Sequence, residues 1–243
     1  MKKTEIIMGM PITINVPELK TISQLDQVFD YFRHIDDKFS PYKQTSELTL
    51  YNNQQNINKL SKEMIEVLEL CEQTKKITLG YFDIDNHGHI DTSGLVKGWA
   101  IDNAAKILKG MGYSNYFVEA GGDIQANGVN EEQMPWQIGI RNPFDINQIV
   151  RVIAVSNKGV ATSGNYIRGD HIYDPITRKN IEGIASLTVI GPNIFEADRF
   201  ATAGFAMGNK GIYFIDALPF FEAYLINDRG IATLTKGFEE YVA

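Results

Sequence analysis

Short stretches rich in apolar and β-branched residues, separated by glycines and polar turns, fill the second half of the sequence. Such stretches are typical of strands, and the turn residues between them are typical of tight connections. They predict strands over 115–119, 123–127, 136–140, 150–155 and 184–190, and a closing hairpin of 220–226 with 231–235. This half of the chain is therefore expected to be mainly sheet.

Longer segments have apolar residues three and four positions apart, a spacing that predicts amphipathic helices. The predicted helices cover 18–38, 61–78 and 99–111, with Ser61 capping the second and Gly112 ending the third. We also predict a strand over 6–16, a polar loop over 43–58 and a small-residue helix over 198–207. Separated helices and many strands favour an α+β fold, with helices packed on a largely antiparallel sheet.

The chain has 243 residues, of which 44% are apolar and 22% are charged, as in ordinary globular proteins. That length allows one large domain or two small lobes that share a core. We predict a single two-lobed domain over residues 1–243. The formal net charge of −7 argues against unspecific nucleic-acid binding, which needs a basic surface.

The single cysteine, Cys71, excludes an internal disulfide and a cysteine-based zinc cluster. We predict that its thiol is buried and unreactive on a helix. No apolar run approaches the roughly 18 residues that a transmembrane helix needs. The first residues also lack the core of a signal peptide. The sequence therefore predicts a cytoplasmic protein without membrane or nucleic-acid partners.

Two glycine-containing segments have compositions suited to ligand binding. In 91–100, two glycines flank Lys97 just ahead of a predicted helix, and a helix N-terminus with a nearby lysine suits a phosphate. An ordinary capped turn with a solvated lysine explains the same residues. In 120–123, paired glycines precede Asp123, which either binds a ligand or caps a tight connection between strands.

His171 and the pair of Asp198 and Thr202 are further candidates. Histidine is well matched to proton transfer near neutral pH, although a lone histidine in a strand is more often structural. Asp198 and Thr202 share one face if the segment is helical, and their oxygens then suit Mg²⁺ or Ca²⁺. The alternative is an acidic residue at a helix start with an internally bonded threonine. We interpret His87 and His89 as part of a polar loop.

Eight short motifs occur in an order that resembles the ApbE-type FAD:protein FMN transferases. Each motif is weak alone, and their common order from residue 8 to residue 202 carries the resemblance over nearly the whole chain. The motifs are Met8-Gly9-Met10-Pro11, Phe39-Ser40-Pro41-Tyr42 with Ser46-Glu47-Leu48, Gly80-Tyr81-Phe82-Asp83, Ser93-Gly94-Leu95-Val96-Lys97-Gly98, Ala120-Gly121-Gly122-Asp123-Ile124, Ala161-Thr162-Ser163-Gly164, His171-Ile172-Tyr173-Asp174-Pro175, and Ala197-Asp198 with Ala201-Thr202.

The resemblance implies an enzyme that cleaves FAD at its pyrophosphate, passes FMN to a Thr or Ser hydroxyl of a target flavoprotein and releases AMP. It implies FAD contacts for Met8, Tyr42, Tyr81, Phe82, Asp83, Asp91, Lys97 and Ile172. It implies a Mg²⁺ site made by the carbonyls of Gly94 and Ala201 and the side chains of Asp198 and Thr202. Catalytic roles are implied for His171, as general base, and for Lys97 and Asp198.

The segment between Asp83 and Asp91 is shorter here than in longer relatives, and the chain lacks their lipoprotein signal, so the resemblance is to a compact branch of the family. One alternative keeps the site and loses the protein acceptor, which gives a FAD pyrophosphatase that produces FMN and AMP. A second is a flavin-binding protein without turnover, and a third is an interaction domain without a ligand. The sequence leaves these alternatives open.

Overall fold

Strands of between 2 and 11 residues recur along the chain. The computed structural model describes residues 1–53, 60–86, 88–164 and 173–243. Its strands are β1 (Lys2–Ile7), β2 (Met10–Asn15), β3 (Asp85–Asn86), β4 (His89–Ile90), β5 (Tyr116–Ala120), β6 (Asp123–Asn127), β7 (Trp136–Asn142), β8 (Asp145–Val155), β9 (Lys158–Gly164), β10 (Tyr173–Asp174), β11 (Lys179–Asn180), β12 (Ile184–Gly191), β13 (Glu222–Asn227) and β14 (Ala232–Leu234).

Most helical residues lie in the first half of the chain, and helices return near its end. They are α1 (Asp26–Phe39), α2 (Glu47–Asn52), α3 (Lys62–Ile77), α4 (Ser93–Gly110), α5 (Ile194–Ala206) and α6 (Gly211–Asp216), with 3₁₀ turns at Ile22–Leu25, Gly208–Lys210 and Phe238–Tyr241. Among the described residues, no helix combines the length and the apolar character needed to cross a bilayer. The cytoplasmic location stays a prediction.

One antiparallel sheet joins eight of the described strands in the order β1-β2-β5-β6-β9-β12-β13-β14. Three separate pairs, β3 with β4, β7 with β8 and β10 with β11, lie outside it. The interior strand β12 is buried on both faces, with Leu187 and Val189 on one side and Ile190 on the other. Both faces of the sheet must therefore be covered.

Helices cover one face of the sheet, and the β7–β8 hairpin covers the other. The larger core packs α1, α4 and α5 on the sheet through residues such as Phe32, Trp99 and Phe200. The smaller core brings Trp136 and Ile138 of the hairpin against the opposite face. The predicted α+β fold, with helices on a largely antiparallel sheet, is confirmed. The single two-lobed domain over residues 1–243 stays a prediction.

Local structure differs from the sequence predictions at several points, and His89, predicted in a polar loop, lies in the short strand β4. The predicted strand over 6–16 is the β1–β2 hairpin, because Met8 and Gly9 turn the chain with φ values of 56° and 72°. The predicted loop over 43–58 contains α2, and residues 54–58 lie outside the described ranges. Strand β9 was not predicted, because its small and polar residues give a weak strand pattern.

A side-chain cap explains why a short helix forms within the polar segment. Ser46 precedes α2, and its hydroxyl accepts the N–H of Thr49 at 3.1 Å. The same hydroxyl donates to the carbonyl of Ser40 at 2.6 Å, which ties the helix start to the end of α1. The first bond satisfies an N–H at the start of α2, and the second satisfies a carbonyl at the end of α1.

Candidate active site

A cavity of about 530 Å³ opens at one end of the main sheet. The turn between β5 and β6, the last residues of β9 and the turn between β1 and β2 all reach this end and line the cavity. The start of α4 and residues of α5 form a wall on the helix side. The cavity therefore gathers residues that are far apart in the sequence.

Helix α4 begins at Ser93, one and a half turns before the predicted start at Trp99. Ser93, Gly94 and Lys97 line the cavity, whereas Leu95 and Val96 are buried in the core. Glycines at positions 94 and 98 weaken the helical pattern at this start. The Asp91 carboxylate accepts the N–H of Ser93 at 2.9 Å and orders the entry to the helix. The positive end of an 18-residue helix thus faces the cavity, which favours an anionic ligand there.

Helix α5 is held against the sheet at its first residues. The N–H of Ile194 donates to Gln125 Oε1 at 2.8 Å, and the Asn193 side chain accepts the N–H of Glu196 at 2.9 Å. A Cβ atom on Gly159 would lie 2.1 Å from the nitrogen of Ile194, so only glycine lets α5 start this close to β9. Because Asp198 follows Ile194 by one helical turn, these contacts fix its direction.

Helices α4 and α5 approach closely where Gly98 meets Asp198. A Cβ atom on Gly98 would lie 2.6 Å from Asp198 Cβ and 3.0 Å from the carbonyl oxygen of Ile194. The N–H of Gly98 donates to Asp198 Oδ2 at 2.8 Å. The glycine therefore brings a buried carboxylate against the α4 backbone, with one carboxylate oxygen hydrogen-bonded.

Lys97, Asp123 and Asp198 form a charged cluster on the helix side of the cavity. Lys97 Nζ lies 2.5 Å from Asp123 Oδ2 and 3.4 Å from Asp198 Oδ1. Both carboxylates are buried, with exposed fractions of 1% for Asp123 and 2% for Asp198. Asp123 Oδ1 also accepts the N–H of Thr162 from β9 at 3.0 Å. Two buried acids therefore share one lysine, and the cluster can accept further positive charge.

Burial raises the pKa of Asp198 above its ordinary value, because a charged carboxylate loses hydration inside the protein. The Lys97 ammonium and the N–H of Gly98 oppose this rise, and the neighbouring Asp123 carboxylate adds to it. A cation bound beside Asp198 would stabilise its ionised form. The electrostatics of the cluster therefore favour a metal ion or another cation at this position.

The oxygen donors around Asp198 fit Mg²⁺ better than a softer metal. Asp198 Oδ1 faces the cluster, and Thr202 Oγ1 lies 3.5 Å from the carbonyl oxygen of Gly94, so one hard cation could contact both. Within the described ranges, no group of three His, Cys, Asp or Glu side chains could hold a metal by itself. This donor set is suited to Mg²⁺ that takes its remaining ligands from water and substrate phosphates.

The chain was compared with known protein families. Residues 8–87 and 84–225 match the model of the ApbE family. The chain belongs to the ApbE family. Its predicted membership is thereby confirmed.

Curated relatives within the ApbE family share about a third of their residues with the chain over the matched segments. The FAD:protein FMN transferase of Vibrio cholerae serotype O1 is 33% identical over 165 residues, which are 64% of this chain and 48% of that relative. The FAD:protein FMN transferase of Escherichia coli strain K12 is 34% identical over 130 residues, which are 49% of this chain and 37% of that relative. The matches therefore span less than half the length of these curated relatives.

Solved ApbE structures share the fold over nearly their full length. The flavin transferase ApbE from Vibrio cholerae has a TM-score of 0.86 at 23% identity, over 99% of this chain and 98% of that one. The ApbE protein from Thermotoga maritima has a TM-score of 0.87 at 22% identity, over 100% of this chain and 99% of that one. The architecture described above is therefore the ApbE fold.

Most residues that the resemblance to the ApbE family singled out come together in the cavity. The lining includes Tyr81, Phe82, Asp83, Asp91, Gly94, Lys97, Asp198 and Thr202. Phe82 belongs to the main core and presents its ring edge near Gly94, where a Cβ atom would lie 3.4 Å from the ring. Asp83 pairs with Lys75 at 2.9 Å, which fixes the carboxylate at the wall.

Other residues from the ApbE resemblance lie away from the cavity or outside the described ranges. Tyr42 is 90% exposed and does not line the cavity. Met8 packs against the main core beside the β1–β2 turn, and Ala201 is fully buried next to Thr202. His171 and Ile172 lie outside the described residues. The assigned roles of these residues stay predictions.

Sequence reasoning left residues of the ApbE cavity without a role. The sequence leaves Asp123 as either a ligand-binding residue or a turn cap within a family motif, whereas the structure places it in the buried charged cluster beside Lys97. Arg141 and Glu119 line the cavity, and neither stands in a motif that marks a ligand site. The paired glycines before Asp123 were the available signal, because their φ values of 60° and 99° turn that carboxylate back toward α4.

Proposed function

We propose that this chain transfers FMN from FAD to a Thr or Ser hydroxyl of a target flavoprotein in a Mg²⁺-dependent reaction that releases AMP. The observation that carries the proposal is the buried cluster of Lys97, Asp123 and Asp198, which lies beside the N-terminus of α4 in a cavity of an ApbE-family fold. The curated relatives reported above are named for this activity.

The phosphates of FAD are expected at the start of α4. The helix N-terminus offers N–H groups without helical partners, and Lys97 adds a full positive charge at the cavity wall. The aromatic rings of Tyr81 and Phe82 supply apolar surface for a flavin or adenine ring. Met8, Tyr42, Asp83, Asp91 and Ile172 complete the FAD contacts that the family resemblance assigns.

Asp198, Thr202 and the carbonyls of Gly94 and Ala201 would hold Mg²⁺. When bound, the ion supplies positive charge that neutralises the pyrophosphate oxygens and stabilises the departing AMP. The protein contributes the fixed position of Asp198, whose Oδ2 is held by the N–H of Gly98 at 2.8 Å while its Oδ1 faces the cluster. Preorganised charge of this kind is the main requirement of phosphoryl transfer.

The proposed transfer exchanges one bond at the FMN phosphorus for another. The acceptor hydroxyl oxygen forms a bond to the FMN phosphorus, and the bond from that phosphorus to the bridging oxygen of the pyrophosphate breaks. AMP leaves with the bridging oxygen. The hydroxyl proton passes to a general base, the role that the family resemblance assigns to His171. Water in place of the acceptor hydroxyl would give free FMN and AMP.

Mass spectrometry of a candidate acceptor flavoprotein tests this proposal. The acceptor is incubated with the chain, FAD and Mg²⁺, and parallel samples contain EDTA or the Asp198→Asn variant. A mass gain equal to bound FMN on a Thr or Ser, absent from both controls, supports flavin transfer. Free FMN and AMP without modified acceptor indicate a FAD pyrophosphatase. Intact FAD across a panel of acceptors, with flavin bound to the chain, indicates a binding protein.

A lysine on the same helix provides a matched control for the role of Lys97. Lys97→Gln removes the charge at the cavity wall, whereas Lys106→Gln removes a charge that pairs with Asp102 on the exposed side of α4. We expect the first change to lower kcat/KM for FAD on the order of a hundredfold, since groups that stabilise transition-state charge have effects of that size. The second change is expected to leave kcat/KM within about twofold, because isolated surface pairs contribute little.

A further inference from the structure

The Lys97 ammonium lies where it can compete with a metal ion for Asp198. Asp198 Oδ2 accepts the N–H of Gly98, whereas Oδ1 is the oxygen nearer to the Lys97 ammonium and is the better placed for a cation. Lys97 Nζ lies 3.4 Å from that same Oδ1. A lysine this close to a metal-ligating oxygen can neutralise the carboxylate itself and so compete with a metal ion.

Asp123 holds the ammonium away from that position. Lys97 Nζ is 2.5 Å from Asp123 Oδ2, which is 0.9 Å closer than it is to Asp198 Oδ1 (3.4 Å minus 2.5 Å). Because attraction between opposite charges rises as the distance falls, the lysine belongs mainly to Asp123. Both carboxylates are buried, so burial strengthens both attractions and the shorter distance favours Asp123.

The sheet anchors Asp123 independently of the two helices. Its Oδ1 accepts the N–H of Thr162 in β9 at 3.0 Å, and Thr162 Oγ1 lies 2.8 Å from Thr188 Oγ1 in β12. Lys97 and Asp198, in contrast, stand on α4 and α5. A carboxylate fixed to the sheet therefore sets the place of a lysine carried by a helix.

We propose that Asp123 is a positioning residue that keeps Lys97 off Asp198 Oδ1, so that this oxygen stays available to a divalent cation. The inference rests on the proposed metal site at Asp198 and adds a role for a residue outside it. In the absence of the Asp123 charge, Lys97 moves the short distance to Asp198 and competes with the metal. The lysine then blocks the site that it otherwise supports.

A double-mutant cycle on metal binding tests this role without measuring turnover. Mn²⁺ alone serves as the probe, and its binding to the full chain is measured by electron paramagnetic resonance up to millimolar concentrations. The cycle compares the unchanged chain, Lys97→Met, Asp123→Asn and the double variant. Methionine keeps the apolar stem of the lysine without its charge, and asparagine keeps an oxygen for the N–H of Thr162.

The expected result is strong non-additivity. Lys97→Met is expected to change Mn²⁺ affinity by less than about threefold in the unchanged chain, because Asp123 already holds the ammonium away. In the Asp123→Asn background the same change is expected to raise affinity on the order of tenfold, since it removes a competing charge at close range. Equal effects in the two backgrounds would overturn the positioning role and leave only a general effect of charge.

Glu119 supplies the matched control for charge alone. Its carboxylate lines the same cavity and accepts the N–H of Gly122 at 3.1 Å, and no ion pair joins it to Lys97 among the described residues. Glu119→Gln and Lys97→Met are expected to have additive effects on Mn²⁺ affinity. Coupling as large as that with Asp123 would contradict the inference.

Two further measurements separate failure of this inference from failure of the metal site. If Asp198→Asn binds Mn²⁺ as the unchanged chain does, the metal site itself is wrong and the inference falls with it. If Asp123→Asn does not fold, as judged by circular dichroism, the Mn²⁺ affinity of Lys97→Met still tests the role of Asp123. A tenfold gain in affinity from that single change would show that Lys97 already competes in the unchanged chain, which overturns the role of Asp123.

Discussion

Asp198 is a buried carboxylate whose charge is costly to the fold, because the Lys97 ammonium offsets only part of the lost hydration. Its folded-state pKa is raised, so the folded protein holds this proton more tightly than the unfolded chain does. By linkage, the free energy of unfolding falls as pH rises from the unfolded pKa to the raised folded pKa. The cost is then fully present above the folded pKa.

We therefore expect Asp198→Asn to raise the free energy of unfolding of the metal-free protein by ~1–3 kcal/mol near pH 8, with little change near pH 4. Asparagine removes the buried charge and keeps an oxygen for the N–H of Gly98. Urea unfolding with EDTA at both pH values measures the difference. An equal loss of stability at the two pH values would contradict the explanation.

Cys71 illustrates a reactive group that the fold makes inert. Its thiol is 1% exposed, and burial raises its pKa to about 12, so almost no thiolate forms near neutral pH. The predicted burial is confirmed. We expect a thiol reagent such as 5,5′-dithiobis(2-nitrobenzoic acid) to modify the chain at least ~100-fold faster in urea than in buffer. Rapid modification of the folded protein would contradict this expectation.

At the scale of elements, the contact between α4 and α5 depends on Gly98. We expect Gly98→Ala to cost ~1–3 kcal/mol of stability and to displace Asp198, because the new Cβ atom would lie 2.6 Å from Asp198 Cβ. Gly110→Ala at the end of the same helix is the control, since a Cβ atom there meets nothing within 4 Å. Thermal unfolding of both variants gives the comparison.

The control variant also fixes the sign of the glycine effect. Alanine favours helix over glycine, so Gly110→Ala is expected to leave stability unchanged or to raise it by up to ~1 kcal/mol. If both substitutions have the same effect, the close approach of α4 and α5 does not explain the glycine at position 98. If only Gly98→Ala lowers stability and Mn²⁺ affinity, the helix contact and the site are linked.

Elements with repeated local patterns could be predicted, whereas elements that tertiary contacts create could not. Helix α3 follows its predicted range closely, because Ser61 caps it and its apolar spacing is regular. The first turn of α4 was not predicted because Gly94 and Gly98 weaken the helical pattern ahead of Trp99. Strand β9 was missed for a related reason, since its small residues are selected by the contact of Gly159 with α5.

In the candidate site, contacts within one helix could be predicted, whereas contacts between elements could not. Asp198 and Thr202 are one helical turn apart, so their common face follows from local geometry. The pairing of Lys97 with Asp123 depends on how α4 packs on the sheet, and no periodicity in the sequence encodes that contact. The order of family motifs supplies part of the missing information, because it groups Lys97 with Asp198 and Thr202 at one site.

At the scale of the whole molecule, FAD and Mg²⁺ together are expected to stabilise the fold more than either ligand alone. We expect FAD together with Mg²⁺ to raise the melting temperature by roughly 5–10 °C at ligand concentrations near a hundred times Kd. Either ligand alone is expected to give a smaller shift, because the metal takes some of its ligands from phosphate oxygens. Scanning fluorimetry with each ligand and with both measures this, and additive small shifts would argue against a shared site.

The order of strands in the main sheet affects how the chain folds during its synthesis. Strand β2 pairs with β5 through Ile12 and Ala120, and helices α1 to α4 lie between them in the sequence. Closing so long a loop costs entropy before its contacts form, which slows folding. During synthesis the β1–β2 hairpin therefore emerges before β5 and waits with its β2 edge unpaired, open to pairing with other nascent chains. Slower translation of the helices between β2 and β5 would lengthen that exposure, so soluble yield should depend on the speed of elongation there.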